Sequence, residues 1–216
     1  RLTMDVNTLS YPVFLSDTLN DLGVCIRGTF PLVRRVIVVA DAFVGMHYGE
    51  QIAETMHDSA IEYECIFVPA GEGCKTVKIW EETVEKVLDL GVDRTTPIVA
   101  LGGGSVGDLV GFVAATVMRG VPLIQVPTTL LAMVDSSVGG KTGLNTKHGK
   151  NLVGAFYQPS LVFGPLSSLC TLSDQEYLSG LGEVIKHGVL GDAELFEVCR
   201  DRADEILMPD TLRELV

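Results

Sequence analysis

One stretch decides the fold of this chain: residues 97–108, PIVALGGGSVGD. Its first five residues are apolar and partly β-branched, which predicts a buried strand, and glycines follow at once. Residues 102–107 fit the pattern GxGxxG, and a helical pattern then runs from Leu109 to Met118. Strand, glycine turn and helix in this order are typical of dinucleotide-binding domains. A turn that only allows close packing of helix on strand explains the same residues.

The surrounding sequence repeats this alternation of strands and helices. Short apolar runs at 35–40, 63–68 and 123–126 predict further strands. Between them, Tyr48, Ile52 and Met56 share one helix face, and Thr76 and Gly91 mark the two ends of another helix. Residues 1–170 therefore predict an α/β domain, a Rossmann-like parallel sheet with helices on both faces.

The pattern changes after Phe163. From Ser173 onward only helix signals remain, beginning with the capping-box spacing of Ser173 and Glu176. Leu178, Leu181, Val184 and Ile185 then form the expected apolar stripe. Residues 171–216 therefore predict the beginning of an all-α second domain.

Composition limits the classes of partner. The net charge of -12 disfavours nucleic acid, because binding a phosphate backbone requires an extended basic face. The longest uncharged run, 120–134, is too short to cross a membrane, and no secretory signal is present, so we expect a cytoplasmic protein. Five cysteines without a CxxC pair argue against disulfides and thiolate zinc, and Cys74 is the cysteine that we expect near a site.

Residues 102–163 differ in charge from the rest of the chain. Four basic and two acidic residues give this segment a net charge of +2. It contains GGKTG at 139–143 and GKN at 149–151, which we expect to form glycine-rich loops, where glycines allow close backbone approach and lysines add charge. This is not a P-loop, because the pattern would require glycine at Asp135. We expect a dianionic ligand here, although such lysines can also serve only solubility.

Three further groups of polar residues are candidates for a site. The loop GEGCK, 71–75, carries Glu72 and Lys75, and Asp41 ends an earlier strand; each is a possible ribose contact or an ordinary loop residue. On the last predicted helix, Glu183 shares a face with Lys186 and His187. Glu183 and His187 could share a metal ion, or Glu183 could simply form a surface ion pair.

Taken together, the segment from Leu101 to Gly188 resembles the 3-dehydroquinate synthase family almost continuously. The matching motifs are LGGGSVGDLVGFVAAT, MRGVPLIQVPTTLLAMVDSSVGGKTG, GKNLVGAFYQP and GEVIKHG. The resemblance implies conversion of 3-deoxy-D-arabino-heptulosonate 7-phosphate, a phosphorylated sugar acid, to 3-dehydroquinate and phosphate. It implies NAD and a divalent metal ion, zinc or cobalt, as cofactors, and we expect a homodimer.

The family's functional positions map onto this sequence. The resemblance implies a cofactor site for NAD formed by Asp41, Glu72, Lys75, Gly103, Gly104, Ser105, Val106, Gly107, Asp108, Thr128, Thr129, Leu131, Asp135, Ser136, Lys141, Lys150, Thr171 and Leu172. It implies catalytic or substrate-binding roles for Arg119, Asp135, Lys141, Lys150, Asn151, Glu183 and Lys186. It makes Glu183 the first metal ligand and gives His187 no such role.

The sequence also departs from the family pattern. Phe43 replaces a usual asparagine, and Pro165 replaces a common aspartate, which places two cofactor contacts in question. The family's two remaining metal ligands are histidines further along the chain than Val216, so we expect no turnover by this polypeptide alone. The alternatives are another NAD-dependent sugar phosphate cyclase, a polyol dehydrogenase of the glycerol dehydrogenase type, and a non-catalytic NAD-binding fragment.

Overall fold

A computed structural model of the chain describes residues 2–6 and 9–201. Its centre is a seven-stranded sheet in the order β1-β2-β9-β6-β5-β3-β4, in which β1 pairs antiparallel with β2 and all other pairs are parallel. Two further strands, β7 and β8, form a separate antiparallel hairpin. The strands are β1 (Leu2–Val6), β2 (Leu9–Ser16), β3 (Arg35–Asp41), β4 (Glu62–Val68), β5 (Ile98–Gly102), β6 (Leu123–Pro127), β7 (Lys141–Thr146), β8 (Gly149–Phe156) and β9 (Leu161–Pro165).

Six α-helices connect and cover these strands. They are α1 (Leu22–Thr29), α2 (Ala42–Asp58), α3 (Val77–Asp89), α4 (Gly104–Thr116), α5 (Asp174–Gly191) and α6 (Ala193–Asp201). The described residues also form short 3₁₀ turns at Leu19–Asp21, Gly71–Cys74, Val117–Arg119 and Leu166–Thr171, and a π-turn at Ala132–Ser136.

The central strands β3, β5 and β6 are buried on both faces, as the sequence predicts. Val36 and Val38 of β3 point to one face, where α1 and α2 pack on them. Ile37 and Val39 of the same strand point to the other face, against α4. This alternation gives two apolar cores from one strand, because successive side chains of a strand point to opposite faces. The predicted Rossmann-like α/β arrangement is confirmed.

The helix boundaries follow their capping residues. Thr76 is the N-cap of α3, and its hydroxyl accepts a hydrogen bond from the N–H of Ile79. Ser173 caps α5 in the same way through the N–H of Glu176. The predicted start of α4 at Leu109 was wrong, because the helix begins at Gly104, directly after the strand. The glycine motif therefore forms the first turns of the helix.

Several elements were not predicted from the sequence. The N-terminal hairpin β1–β2, helix α1 and strand β9 lie outside the predicted elements, although β9 is fully buried in the sheet. GGKTG and GKN were predicted as loops, and this was wrong for much of both motifs. Lys141, Gly143, Lys150 and Asn151 lie instead on the two strands of the β7–β8 hairpin.

The helices after residue 171 pack on a third apolar cluster. Its buried members are Leu130, Met133, Leu169, Tyr177, Leu181, Val184 and Cys199. The predicted stripe of α5 was partly wrong, since Leu178 and Ile185 are exposed and Tyr177 is buried. The division into domains at residues 170 and 171 stays a prediction. Within the described residues, no helix has both the length and the apolar character to span a bilayer.

Candidate active site

A cleft of about 750 Å³ opens at the carboxyl edge of the parallel strands. Its walls come from segments that are distant in sequence but follow neighbouring strands of the sheet. The lining residues are Asp41, Phe43, Val44, Tyr48, Ala70, Gly71, Gly103, Gly104, Ser105, Val106, Thr128, Thr129, Leu131, Thr171, Leu172, Ser173, Glu176 and Ser179. Open α/β sheets bind ligands at this edge, because the loops after parallel strands meet there.

The glycine turn lies in the wall of this cleft. Gly103 is the N-cap of α4, and its carbonyl oxygen accepts from the N–H groups of Val106 and Gly107 at 3.0 and 3.1 Å. The N–H groups of Gly104 and Ser105 precede these and lack an intrahelical partner. A Cβ on Gly104 would lie 2.7 Å from Ser136 Oγ, and one on Gly103 would lie 3.1 Å from Thr129 Cγ2. Glycine is therefore required for packing here, and the same absence of side chains exposes the helix N-terminus to an anion.

Asp41 has a structural role and also faces the cleft. It is the N-cap of α2, where its carboxylate accepts a hydrogen bond of 2.9 Å from the N–H of Val44. One carboxylate oxygen thus caps the helix, and the other retains acceptor capacity for a ligand. Phe43 presents an exposed ring in the same wall, with its centroid 4.2 Å from that of His47.

A smaller cavity of about 340 Å³ lies beside the hairpin. Asp108, Lys141 and Asn151 are its polar lining residues, together with Thr142 of β7. Lys141 is exposed and, within the part of the chain that the structure describes, makes no ion pair. The ammonium of Lys141 and the side-chain amide of Asn151 therefore line the same small cavity.

Lys75 connects this cavity to the glycine turn. Its Nζ lies 2.5 Å from Asp108 Oδ2 and donates to Asn151 Oδ1 at 2.6 Å. The residue is only 3% exposed, so its charge is compensated inside the protein. Burial raises the pKa of Asp108, which Lys75 opposes. Lys75 was predicted to contact the cofactor, whereas this structure places its ammonium between two protein side chains.

Side chains from other segments contact the carboxylate of Glu72 in the GEGCK loop. Asn145 Nδ2 donates to its Oε2 at 2.8 Å, and Ser105 Oγ donates to its Oε1 at 2.8 Å. Lys150 Nζ lies 3.4 Å from Oε2. The bond from Asn145, with those from Ser105 and the nearby lysines, lowers the pKa of Glu72 to about 2. Glu72 is thus ionised at neutral pH and faces Ser105 in the wall of the large cleft.

The net positive charge of residues 102–163 is partly compensated by acidic side chains in the folded protein. The fold brings Glu72 and Asp108 to the lysines of residues 102–163, and Asp135 lies near enough to raise the pKa of Asp108. Cys74, expected near a site, donates from its thiol to the carbonyl oxygen of Ser105, a residue of the large cleft, at 3.5 Å. Its side chain is buried in the core and lines neither pocket, and desolvation raises its pKa to about 11. Its thiol is therefore unreactive at neutral pH.

On α5, Glu183 contacts both basic neighbours of its helix face. Its Oε1 accepts from Lys186 Nζ and lies 3.5 Å from His187 Nε2. Both interpretations from the sequence, an ion pair and a metal ligand, remain compatible with this arrangement. Within residues 2–6 and 9–201, no group of three His, Cys, Asp or Glu side chains is arranged to hold a metal ion.

Arg119 lines neither pocket. It follows the carboxyl end of α4, whereas Asp108 lies in the first half of the same helix. Met118 and Arg119 both have left-handed backbone angles, with φ of 52° and 64°. Asp108 and Thr116, the last residue of α4, are separated by about 12 Å along the helix, because a helix rises about 1.5 Å per residue.

The structure therefore gathers most predicted residues into two adjoining sites. Ten of the predicted cofactor residues line the large cleft: Asp41, Gly103, Gly104, Ser105, Val106, Thr128, Thr129, Leu131, Thr171 and Leu172. Asp108, Lys141 and Asn151 line the small cavity, and Glu72, Lys75 and Lys150 lie between the two. Sequence analysis missed Asn145, whose contacts arise only when the hairpin folds, and Tyr48, whose hydroxyl pairs with Thr171 at 2.7 Å.

An α/β fold with a glycine turn at the carboxyl edge of its sheet defines the class of open-sheet nucleotide-binding proteins. The family described as 3-dehydroquinate synthase N-terminal matches residues 65–179. A curated 3-dehydroquinate synthase from Geotalea uraniireducens is 45% identical over 97% of this chain. The chain belongs to the 3-dehydroquinate synthase family. It spans 58% of that relative's length.

Two solved structures share the fold. A 2-epi-5-epi-valiolone synthase from Streptomyces hygroscopicus, solved with NAD⁺ and Zn²⁺, matches the whole chain with a TM-score of 0.88 and 30% identity, over 61% of its own length. A 2-deoxy-scyllo-inosose synthase, solved with carbaglucose-6-phosphate, NAD⁺ and Co²⁺, matches 86% of the chain and 50% of its own length, with a TM-score of 0.78 and 29% identity.

Proposed function

We propose that this chain forms the NAD-binding part and one wall of the substrate site of a 3-dehydroquinate synthase. The proposed reaction converts 3-deoxy-D-arabino-heptulosonate 7-phosphate to 3-dehydroquinate and phosphate. The observation that carries the proposal is the position of the small cavity with Lys141 and Asn151 directly beside the glycine-turn cleft. A cofactor in the cleft and a phosphorylated substrate in the cavity would then be neighbours.

The large cleft has the size and chemistry for a dinucleotide. Its volume of about 750 Å³ lies within the range of ligand pockets. Gly103 and Gly104 would let a pyrophosphate approach the N-terminus of α4, where the helix dipole favours negative charge. Asp41 would accept a hydrogen bond from a ribose hydroxyl with its remaining capacity. The NAD⁺ in both similar structures supports this assignment.

The small cavity has the chemistry for the substrate's anionic groups. Lys141 offers a compact cation, and the backbone nearby carries little side-chain bulk at Gly143 and Gly154. Asn151 has its Oδ1 occupied by Lys75, so its Nδ2 is the group to donate to a ligand. Lys150 lies on β8 next to Asn151. Its ammonium forms an exposed ion pair with Glu72, which it would give up to bind an anion. Together these groups would orient a phosphate before its elimination.

A divalent metal ion fits this chain only in part. Glu183 is mostly buried and presents one carboxylate, the ligand type that zinc and cobalt accept. Three protein ligands are typical of catalytic zinc sites, and Glu183 is the one that the family resemblance assigns here. Bound NAD would supply reversible hydride transfer, and the metal would polarise the reacting hydroxyl.

The order of chemical steps explains the required residue types. Oxidation of a ring hydroxyl makes the hydrogen on the adjacent carbon acidic, so that phosphate can leave by elimination before reduction, ring opening and aldol closure. Lys141, Lys150 and Asn151 would bind the phosphate, while Lys186 beside Glu183 would face the reacting ring. Holding these groups in a fixed geometry lowers the entropic cost of the reaction. A homodimer stays a prediction.

A chimera tests the proposed reaction. The matching part of the Geotalea uraniireducens relative is replaced by this chain, and phosphate release from the heptulosonate phosphate is measured with NAD and zinc or cobalt. We expect release by the chimera and strong loss in its Lys141→Ala variant. A chimera that is folded and binds NAD, yet releases no phosphate, would contradict the proposed substrate. The 216-residue chain is assayed in parallel, and turnover by this chain alone would exclude the alternative of a non-catalytic fragment.

A further inference from the structure

Asn145 lies at an irregularity in the β7–β8 hairpin. Leu144 pairs with Val153 and Thr146 pairs with Gly149, so Asn145 of β7 stands opposite residues 150–152 of β8. The extra residues of this irregularity lie on β8, and Asn145 faces the segment where the regular ladder is interrupted. The N–H of Asn145 accordingly donates outside the hairpin, to the carbonyl oxygen of Lys75 at 2.8 Å. The hairpin is thus attached to the loop before α3 at this residue.

The side chain of Asn145 makes two further contacts in different directions. Its Nδ2 donates to Glu72 Oε2 at 2.8 Å, and its Oδ1 accepts from the N–H of Asn151 at 3.1 Å. One amide therefore uses its donor on the loop and its acceptor on strand β8. An asparagine is suited to this position because it carries both functions at one end of a short side chain.

Both contacted residues are held by further hydrogen bonds. Asn151 has a φ of 58°, in the left-handed region, which asparagine adopts more readily than most residues other than glycine. The bond from its N–H to Asn145 and the bond from Lys75 to its Oδ1 fix its backbone and its side chain. Glu72 in turn accepts from Ser105, a residue of the large cleft.

We infer that Asn145 is a positioning residue, which sets Glu72 for the large cleft and Asn151 for the small cavity through one side chain. The inference rests on the proposed function, because the two pockets are assigned there to cofactor and substrate. Asn145 lines neither pocket, so its effect on ligands passes through its two neighbours.

The test compares Asn145→Ala with Thr146→Val in this chain. Thr146 hydrogen-bonds only within the hairpin turn, to Gly149 and His148, and serves as a control for loss of hairpin stability. NAD affinity is measured by calorimetry, and the titration of Glu72 is followed by ¹³C NMR of its carboxylate. Asn145→Ala should weaken NAD binding about tenfold, comparable to a lost hydrogen bond to a charged group. It should also raise the pKa of Glu72 toward the ordinary glutamate value, since Asn145 is the main cause of its depression.

A second variant keeps the inference testable if Asn145→Ala does not fold. Asn145→Asp retains an acceptor for Asn151 but replaces the donor to Glu72 with a like charge, so it should raise the pKa of Glu72 further than alanine does. The inference is overturned if the NAD dissociation constants of the variants stay within about twofold of that of the wild type or of Thr146→Val. It is also overturned if the pKa of Glu72 in the variants equals that in the wild type or in Thr146→Val. Absence of NAD binding by the wild type would instead refute the proposed function.

Discussion

The substitution Lys75→Met tests whether the ion pair at the centre of the site is buried as described. Lys75 Nζ lies 2.5 Å from Asp108 Oδ2, and the two side chains are 4% and 16% exposed. Methionine keeps the apolar length of the lysine stem but leaves the carboxylate without its cation. Removing one partner of a buried pair costs about 3–5 kcal/mol, and we expect about 3 kcal/mol because Asp108 retains some contact with solvent.

The pH dependence of this loss has a definite sign. Burial raises the pKa of Asp108, with added effects from Glu72 and Asp135, and loss of Lys75 should raise it further. A carboxyl whose folded pKa exceeds its unfolded value costs stability when ionised, and this cost disappears as the pH falls through the folded pKa. The destabilisation by Lys75→Met should therefore be largest near neutral pH and smaller at about pH 5.

Thermal denaturation at about pH 7 and about pH 5 measures both effects. A loss of about 3 kcal/mol lowers Tm by roughly 6–12 °C in a protein of this size. Lys78→Met is the matched control, because Lys78 forms an exposed pair with Glu82 at 3.8 Å and should change stability by less than about 0.5 kcal/mol. The double variant Lys75→Met/Asp108→Asn should recover most of the loss. Equal Tm values for the two single lysine variants at both pH values would refute the reasoning.

Three further predictions concern ligands. In the chimera, Lys141→Ala and Lys150→Ala should each weaken binding of a phosphonate substrate analogue by about 1.5–3 kcal/mol, as calorimetry measures, and unchanged binding would remove them from the substrate site. Phe43→Ala should weaken NAD binding by about 1–3 kcal/mol if its exposed ring stacks on the adenine, and equal affinities would exclude stacking. Because the described residues hold no group of three His, Cys, Asp or Glu side chains for a metal ion, Glu183→Gln should leave the zinc affinity of this chain nearly unchanged. The same change should abolish metal-dependent turnover in the chimera.

The sequence predicts the central strands β3, β5 and β6 because they are buried on both faces, and it also predicts β4, an edge strand that is largely exposed. The runs at 35–40, 63–68, 97–101 and 123–126 all form parallel strands, and the helices between them follow their caps at Asp41 and Thr76. Strand β9 escaped prediction because its apolar run is only Leu161 to Phe163, shorter than the runs that predict the other strands, before Gly164 and Pro165. Its burial depends on β2 and β6, which lie far away in sequence.

The site shows the same division between local and long-range information. The glycine turn could be predicted from the sequence because its residues are adjacent along the chain. Its position at the end of a strand follows from the order of strand and helix. The contacts of Lys75 with Asp108 and Asn151 join residues separated by 33 and 76 positions. The ligand contact that the residue type suggested for Lys75 stays a prediction, and its contacts with Asp108 and Asn151 carried no local signal. The local sequence did not mark Asn145 as a site residue, because its hydrogen bonds to Glu72 and Asn151 depend on the register of the hairpin.

Binding of NAD to this chain tests the central claim most directly. Calorimetric titration compares the wild type with Gly104→Val, which adds bulk 2.7 Å from Ser136 Oγ at the N-terminus of α4, and with Gly49→Val, whose Cβ would lie in open space on α2. We predict saturable binding by the wild type and Gly49→Val, and strongly weakened binding by a folded Gly104→Val. No saturable binding by the wild type, or equal affinity in all three proteins, would contradict the account of the cleft.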